Sequence, residues 1–529
     1  MSPADAPRWP VGVVLVAALV LGVVTNLPSW ADPVHLVPVT RFTEPQLLAT
    51  SLARANLSLG APFSGSTTVL GWPDVADVRP VVWPMLVFGW VVPAGIAFNS
   101  FFSLVPVFNA AGGALLGRAL GLGSWGRAAI GGTLALHPWV RETLANGQLE
   151  QSWLGGIAMV WACALWAARG SNRALGLLGP AMVALTFTGP HLAIAAGLGV
   201  ALLLVTDGPL VRAGWRRRYA AIGLAGVGAA LAGAWYAGNF TARTQVFWPK
   251  GSPGHAASLS NLPEAATFAG LLLPPGPPDA DTQTLHPIYF GAFLLVGMLV
   301  GGRRSPWALW LAFAGLLLLA FGDTVGPVPG PFQLLSALSP ALAASQSPYR
   351  LLAGVIVVAA ALAARGITRG WHLGLFLGVG LLETTLVTTR PFVAPPMVIA
   401  VDPLPAALTE GAGAVLDLPL LGTKCPDQAY HYAIEAARRA RPSPVLPAAP
   451  TYYPTVGGLA RKVLQAWQAR PCGPAMAEAV TKMGFSTVVL HRHDPTCPVQ
   501  PSFEQCLVDA FGAGTEAPGL RFWDVRPAR

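Results

Sequence analysis

Long apolar runs separated by short polar breaks recur from Val11 to Leu386. Each of Val11–Leu27, Ile96–Leu120, Ala128–Pro138, Trp153–Ala168, Leu175–Phe187, His191–Val205, Tyr219–Ala237, Pro287–Val300, Trp307–Phe321, Leu351–Ala364 and Trp371–Leu386 reads as one crossing of a bilayer. Such a crossing takes about twenty apolar residues, and the shorter runs here are read loosely against that length. The pattern predicts a polytopic α-helical membrane protein with about eleven transmembrane helices. Val81–Val92 is apolar too, but Pro84 interrupts it and Pro93 follows it. It reads as a short helix at the membrane surface, with Trp83 and Trp90 at headgroup depth. After the first run, Ser29-Trp30-Ala31 has the small-x-small form of a cleavage site, so a signal peptide competes with an uncleaved anchor. The length of the run favours the anchor.

The pattern divides the chain. Residues 1–388 form a helical transmembrane domain, with large outer loops at 26–80 and 239–286. Residues 389–529 lose the long apolar runs. Ala414–Leu420, Phe485–His491 and Leu520–Val525 read as strands; Gln428–Arg441, Leu459–Arg470 and Ser502–Phe511 read as helices, the last ending near Gly512. Strands alternating with helices predict an extracytoplasmic α/β domain.

Charge fixes the expected orientation. The chain is 53% hydrophobic and 11% charged, with a mean hydropathy of +0.54, where soluble domains carry about 25% charged residues. The net charge of +9 could point to nucleic acid, but its distribution does not. Arginines gather in alternate short loops: Arg118 and Arg127, Arg169 and Arg173, Arg212 and Arg216–Arg218, Arg303 and Arg304, Arg365 and Arg369. Such an excess marks the cytoplasmic side and meets anionic headgroups. The reading is a multi-pass protein of the bacterial inner membrane, its N-terminus cytoplasmic and its C-terminal domain periplasmic, with membrane lipids and no nucleic acid as partners. Cys425, Cys472, Cys497 and Cys506 all fall in the C-terminal region, which suits two disulfides and an oxidising compartment. A zinc site ranks lower, because no C-x2-C pair is present. Sequence leaves the pairing and the oligomeric state open.

Candidate chemistry lies outside the spans. Charges buried in a bilayer are costly and functional, and the apolar runs hold almost none. That disfavours an ion-coupled transporter, whose sites lie near the midplane. Asp32, Asp74 and Asp77 sit in the first outer loop. Asp32 follows the first span closely, at a fixed depth. Asp74 and Asp77 are three apart and share a face if helical, although a solvated turn around Pro73 is the plainer reading. His137, Arg141, Glu142 and Glu150 form the densest polar cluster of the short loops. They read either as a solvated turn between helices or as groups holding a substrate head. Arg350, in Ser347-Pro-Tyr-Arg350 before an inward span, can grip a phosphate with two hydrogen bonds or simply snorkel to the headgroups. An outer carboxylate can act as a general base towards a hydroxyl, or hold magnesium or manganese against phosphate oxygens.

Several of these features together resemble the GT-C superfamily of membrane glycosyltransferases, which use polyprenyl-phosphate sugars. A first span leads to an outer loop opening with Trp30-Ala-Asp-Pro33. A surface helix precedes the second span. Ser347-Pro-Tyr-Arg350 precedes a late one. The C-terminal domain carries Val415-Leu-Asp-Leu-Pro419 and Gly484-Phe-Ser-Thr-Val-Val-Leu-His491. The likeness is greatest to loosely characterised bacterial members and covers nearly the whole chain. It implies transfer of a sugar from a polyprenyl-phosphate donor to an extracytoplasmic acceptor, with Asp32 as base or metal ligand and Arg350 facing the lipid phosphate. The alternative is a non-enzymatic component of lipid or polysaccharide export, or a scaffold.

Overall fold

The computed structural model describes residues 9–34, 36–38, 88, 91–145, 151–205, 214–244, 289–322, 324–325, 328–338, 348–387, 393–394, 396–398, 414–418, 473–482, 485–492, 499–517 and 519–525. A helical body is built from α1 (Trp9–Thr25), α2 (Ala94–Ala119), α3 (Ser124–Leu136), α4 (Pro138–Ala145), α5 (Leu154–Ala168), α6 (Asn172–Thr188), α7 (Pro190–Val205), α8 (Trp215–Thr244), α9 (Ala292–Gly302), α10 (Trp307–Ala320), α11 (Pro331–Leu338), α12 (Leu352–Ala364) and α13 (Gly370–Val387). Every long apolar run of the sequence carries one of these helices.

Caps and breakers shift the ends. α6 starts early because the Ser171 hydroxyl accepts from Ala174 N at 3.2 Å, satisfying a donor the helix leaves open. α3 stops at His137, and Pro138 restarts the chain as α4, a position that suits proline's fixed φ. α8 runs on to Thr244, so the outer loop expected from 239 begins within its last turns. The surface helix expected at Val81–Val92 lies largely outside the described residues, as do the helices expected at Gln428–Arg441 and Leu459–Arg470 and the boundary near 389.

Among the described residues, one helix, Gly95–Ala119, is long and apolar enough to cross a membrane by length and composition; Trp9–Thr25, Leu154–Ala168 and Trp307–Ala320 are apolar but shorter. The body's outer face is nevertheless apolar. Val16, Val20, Leu231, Leu299, Val300, Leu382 and Leu386 are each more than half exposed. A belt of this kind suits lipid and not water.

In lipid the apolar faces of helices gain little by leaving their solvent, so close packing decides association. α12 is the axis. All of its residues are buried, and it packs against α3, α5, α7, α9 and α10. It has no polar face, as expected of a helix enclosed on all sides. Glycines bring other pairs together. A Cβ on Gly112 would lie 2.3 Å from Gly155 O, one on Gly155 2.4 Å from Phe108 O, and one on Gly131 2.6 Å from Ala110 O. α2, α3 and α5 therefore meet backbone to backbone.

Two short strands tie the ends of the body. β1 (Leu36–Pro38) pairs antiparallel with β4 (Pro396–Val398), Val37 facing Met397. Beside them Ala394 N donates to Thr25 O at 2.8 Å. β2 (Thr324–Val325) and β3 (Val328–Pro329) form a small hairpin.

The C-terminal sheet is mixed, in the order β5-β6-β8-β7. β5 (Ala414–Leu418) runs parallel to β6 (Phe485–His491); β6 pairs antiparallel with β8 (Leu520–Asp524), and β8 with β7 (Thr515–Ala517). All of β6 is buried, the polar Ser486, Thr487 and His491 along with the apolar Val488–Leu490. α14 (Pro474–Lys482) and α15 (Pro501–Phe511) cover it through Met476, Val480 and Leu507. Cys506 is buried on α15. Cys425, Cys472 and Cys497 lie outside the described residues, and no cysteine pair falls within them.

Candidate functional site

The polar groups of the body gather at one end, where α1 finishes, α3 gives way to α4, and α5 and α7 begin. Two clusters stand there.

The first surrounds α4. His137, Arg141 and Glu142 are only 0%, 7% and 4% exposed. The solvated turn expected of them is therefore corrected: these side chains are enclosed. His137 shows why. Trp139 N donates to His137 Nδ1 at 3.1 Å, so that nitrogen carries no proton, and Nε2 donates to Phe290 O at 2.9 Å. Both ring nitrogens are used in holding α3, α4 and the entrance to α9 together. His137 is a structural tie, and its expected contact with a substrate head does not fit this geometry. Burial pushes the Arg141 guanidinium down to about 10, and the adjacent Glu142 carboxylate pulls it partly back. It remains charged at neutral pH. Arg141 borders a cavity of about 20 Å³ shared with Thr25, Pro106, Leu136 and Thr384, room for a single water.

Gln151 extends this cluster to Arg350. Its backbone oxygen accepts from Trp139 Nε1 at 3.1 Å. A guanidinium only donates, so the Gln151 amide turns its oxygen to Arg350, at 3.0 Å from Nε and 3.1 Å from Nη2. Arg350 is 8% exposed, which excludes the snorkelling alternative. The short turn Pro348–Leu351 that carries it packs on α7, α10 and α12, and the Tyr349 ring lies 6.3 Å from that of Trp139. The guanidinium is thus fixed in direction before any ligand arrives.

The second cluster holds the turn after α1. Asn26 Nδ2 donates to Asn99 Oδ1 at 3.1 Å; Asn99 Nδ2 donates to Leu36 O at 2.7 Å and Pro33 O at 3.3 Å. Trp30 Nε1 donates to Ser103 Oγ at 3.0 Å. Both asparagines are fully buried. Asp32 ends the short helical turn Leu27–Ala31, its side chain is exposed, and its carbonyl accepts from Leu36 N at 2.7 Å. The network clamps the backbone on both sides of Asp32 and leaves the carboxylate at the surface.

Asp32 lies on the turn after α1, which α2 holds through Asn99 and Ser103, and Arg350 on the turn packed against α7, α10 and α12. Asp74, Asp77 and Glu150 lie outside the described residues. Among the described residues no three His, Cys, Asp or Glu side chains gather as a metal would require.

Glu383, near the end of the last apolar run, caps another helix. Its Oε1 accepts from Ala292 N at 2.6 Å and its Oε2 from Phe293 N at 2.9 Å, with the Tyr289 hydroxyl also donating to Oε1. The carboxylate satisfies the open amides of α9 and meets the positive end of its dipole. Gln151, Asn26 and Asn99 are the site residues that charge counting passes over. The spacing of Asn99 and Ser103, four apart on one face of an apolar helix, is the signal that could have found one of them.

No family model matches this chain, and no curated protein does. Among solved structures, the apo oligosaccharyltransferase of Archaeoglobus fulgidus aligns at a TM-score of 0.44 and 12% identity, over 90% of this chain and 69% of that one. Oligosaccharyltransferase AglB of that organism, in complex with an inhibitory peptide and a dolichol-phosphate, aligns at 0.45 and 11%, over 95% and 71%. The enzyme tethered to an acceptor peptide gives 0.39 and 12%, over 91% and 69%. Likenesses of this size decide nothing about the chemistry of this chain.

Proposed function

We propose that this protein is a GT-C-type membrane glycosyltransferase that moves a sugar from a polyprenyl-phosphate donor to an extracytoplasmic acceptor. The observation that carries the reading is the buried, pre-aimed Arg350. A guanidinium held by Gln151 against the turn before a helix is suited to a phosphate at the membrane surface. In the step envisaged, the Asp32 carboxylate takes the proton of the acceptor hydroxyl. The hydroxyl oxygen bonds to the anomeric carbon as the bond from that carbon to the phosphate oxygen breaks. Attack from the opposite face inverts the centre. The leaving polyprenyl phosphate carries the electron pair away, and Arg350 meets its charge.

Asp32 would also be the carboxylate to hold magnesium or manganese against the donor's phosphate oxygens. A bacterial inner-membrane location, a cytoplasmic N-terminus and a periplasmic C-terminal domain with two disulfides complete the reading.

The test follows donor turnover. Membranes carrying the protein convert a polyprenyl-phosphate-linked sugar, and Asp32→Asn lowers the rate by at least about a hundredfold, as loss of a general base does. Adding a chelator reveals whether magnesium or manganese takes part. Turnover equal in Asp32→Asn and wild type overturns the assignment of the base. A second reading, a non-enzymatic lipid-binding export component, draws on one fact: Asp32 has no acidic neighbour in sequence. It predicts lipid binding without turnover.

A further inference from the structure

At the far end of the body, away from the candidate site, lies a basic corner with no part in the chemistry above. α5 leaves the site at Leu154 and finishes at Ala168; α6 begins at Asn172 and α8 at Trp215, beside it. We propose that this corner is a discrete binding surface for anionic phospholipid headgroups. The inference is independent of the transferase reading.

The chemistry is local. Arg217 Nη1 donates to Asn172 Oδ1 at 3.4 Å and passes over the turn at Gly170, where a Cβ would stand 3.6 Å from it. This lays the start of α8 across the α5–α6 turn and gathers Arg169, Arg173, Arg216 and Arg217 in one place. Arg169 reaches inward to Ala119 O, whereas Arg173, Arg216 and Arg217 are exposed. The described turns 169–173 and 214–219 contain no carboxylate, so no acidic side chain within them offsets the positive charge.

The neighbours of these cations identify the partner. The Arg216 guanidinium lies 5.5 Å over the Trp215 ring. Trp215 stands edge-on to Tyr219, ring centres 6.3 Å apart, and the two are 62% and 58% exposed. Further along α8, Val227 and Leu231 are exposed as well. Cations, then aromatic rings, then bare aliphatic side chains along one helix is the sequence of layers at a bilayer surface. An acidic protein or a nucleic acid would complement the arginines but leave the apolar face beneath them uncovered. Guanidinium groups in this setting match a headgroup phosphate.

The test uses the full chain, purified in mild detergent and offered equal phosphatidylglycerol and phosphatidylcholine, with retained lipid read by mass spectrometry. Wild type should retain phosphatidylglycerol preferentially, and Arg216→Gln/Arg217→Gln should retain about tenfold less of it. Arg303→Gln/Arg304→Gln, which removes equal charge at another turn, should retain it as wild type does. Arg216→Lys/Arg217→Lys separates charge from fold: partial retention is expected. Equal retention of the two lipids by wild type overturns the proposal, as does an equal loss in both glutamine pairs. If the first glutamine pair does not fold, the wild-type preference and its weakening by salt decide the matter.

Discussion

At Asn99 four hydrogen-bonding contacts meet inside an apolar helix. Its side-chain and backbone oxygens accept from Asn26, and its amide nitrogen donates to the carbonyls of Pro33 and Leu36. Replacing it with leucine leaves buried partners unsatisfied. Asn99→Leu is expected to cost about 2–3 kcal/mol, read as a lower unfolding temperature in detergent. Asp32→Asn, which leaves the network intact, is expected to unfold like wild type. Glu383 acts across a separation of 91 residues at Ala292. Glu383→Gln keeps one acceptor but loses the charge at the end of α9, and about 1–2 kcal/mol is expected to go with it. Neither role was legible in the sequence. Local spacing places residues on a face, but it does not report which distant backbone amides that face will meet. His137 illustrates the same limit: a histidine beside Pro138 reads as surface, and only the Phe290 carbonyl and Trp139 amide turn it into a tie.

At the scale of elements the sequence was more informative. The apolar runs marked the helices because their period and length are local properties, and β6 stood out by its β-branched run Thr487-Val488-Val489. What the runs did not show was how closely the helices approach. The contacts of Gly112, Gly131 and Gly155 depend on pairs of helices. Gly112→Val would drive side-chain atoms into the Gly155 backbone, and loss of folded, monodisperse protein on size exclusion is the expected result; Gly176→Ala, at a position with nothing within 4 Å, should behave as wild type. In the C-terminal sheet, Arg492 and Arg521 both reach Glu504 and Glu516. Hydrogen bonding from Arg492 holds the Glu516 carboxyl below its usual range. A carboxylate with a depressed folded pKa stabilises above its unfolded value of about 4.3 and loses that contribution as pH falls through the folded one. Melting of the domain followed from pH 5 downward, in steps through about pH 3, should therefore fall more steeply in wild type than in Glu516→Gln.

Over the whole molecule, the pairing of β1 with β4 matters for the candidate site. The strand that follows Asp32 is bonded to the segment leading out of α13 towards the C-terminal sheet, so the backbone after Asp32 is held both by Asn99 and by this pair. Arg350 is framed separately, by Gln151 and the α7–α10 wall. Composition and arginine placement make the membrane setting legible; the supports of Asp32 and Arg350 were not, because no motif marks Asn99 or Gln151. The proposed transfer requires that Arg350 face a lipid phosphate. Lipids that co-purify with the protein in mild detergent answer this directly, wild type beside Arg350→Ala, by mass spectrometry. Enriched polyprenyl phosphate, or its sugar adduct, is expected in wild type and its loss in the variant. Bulk phospholipid alone, unchanged by the substitution, would contradict the proposed transfer.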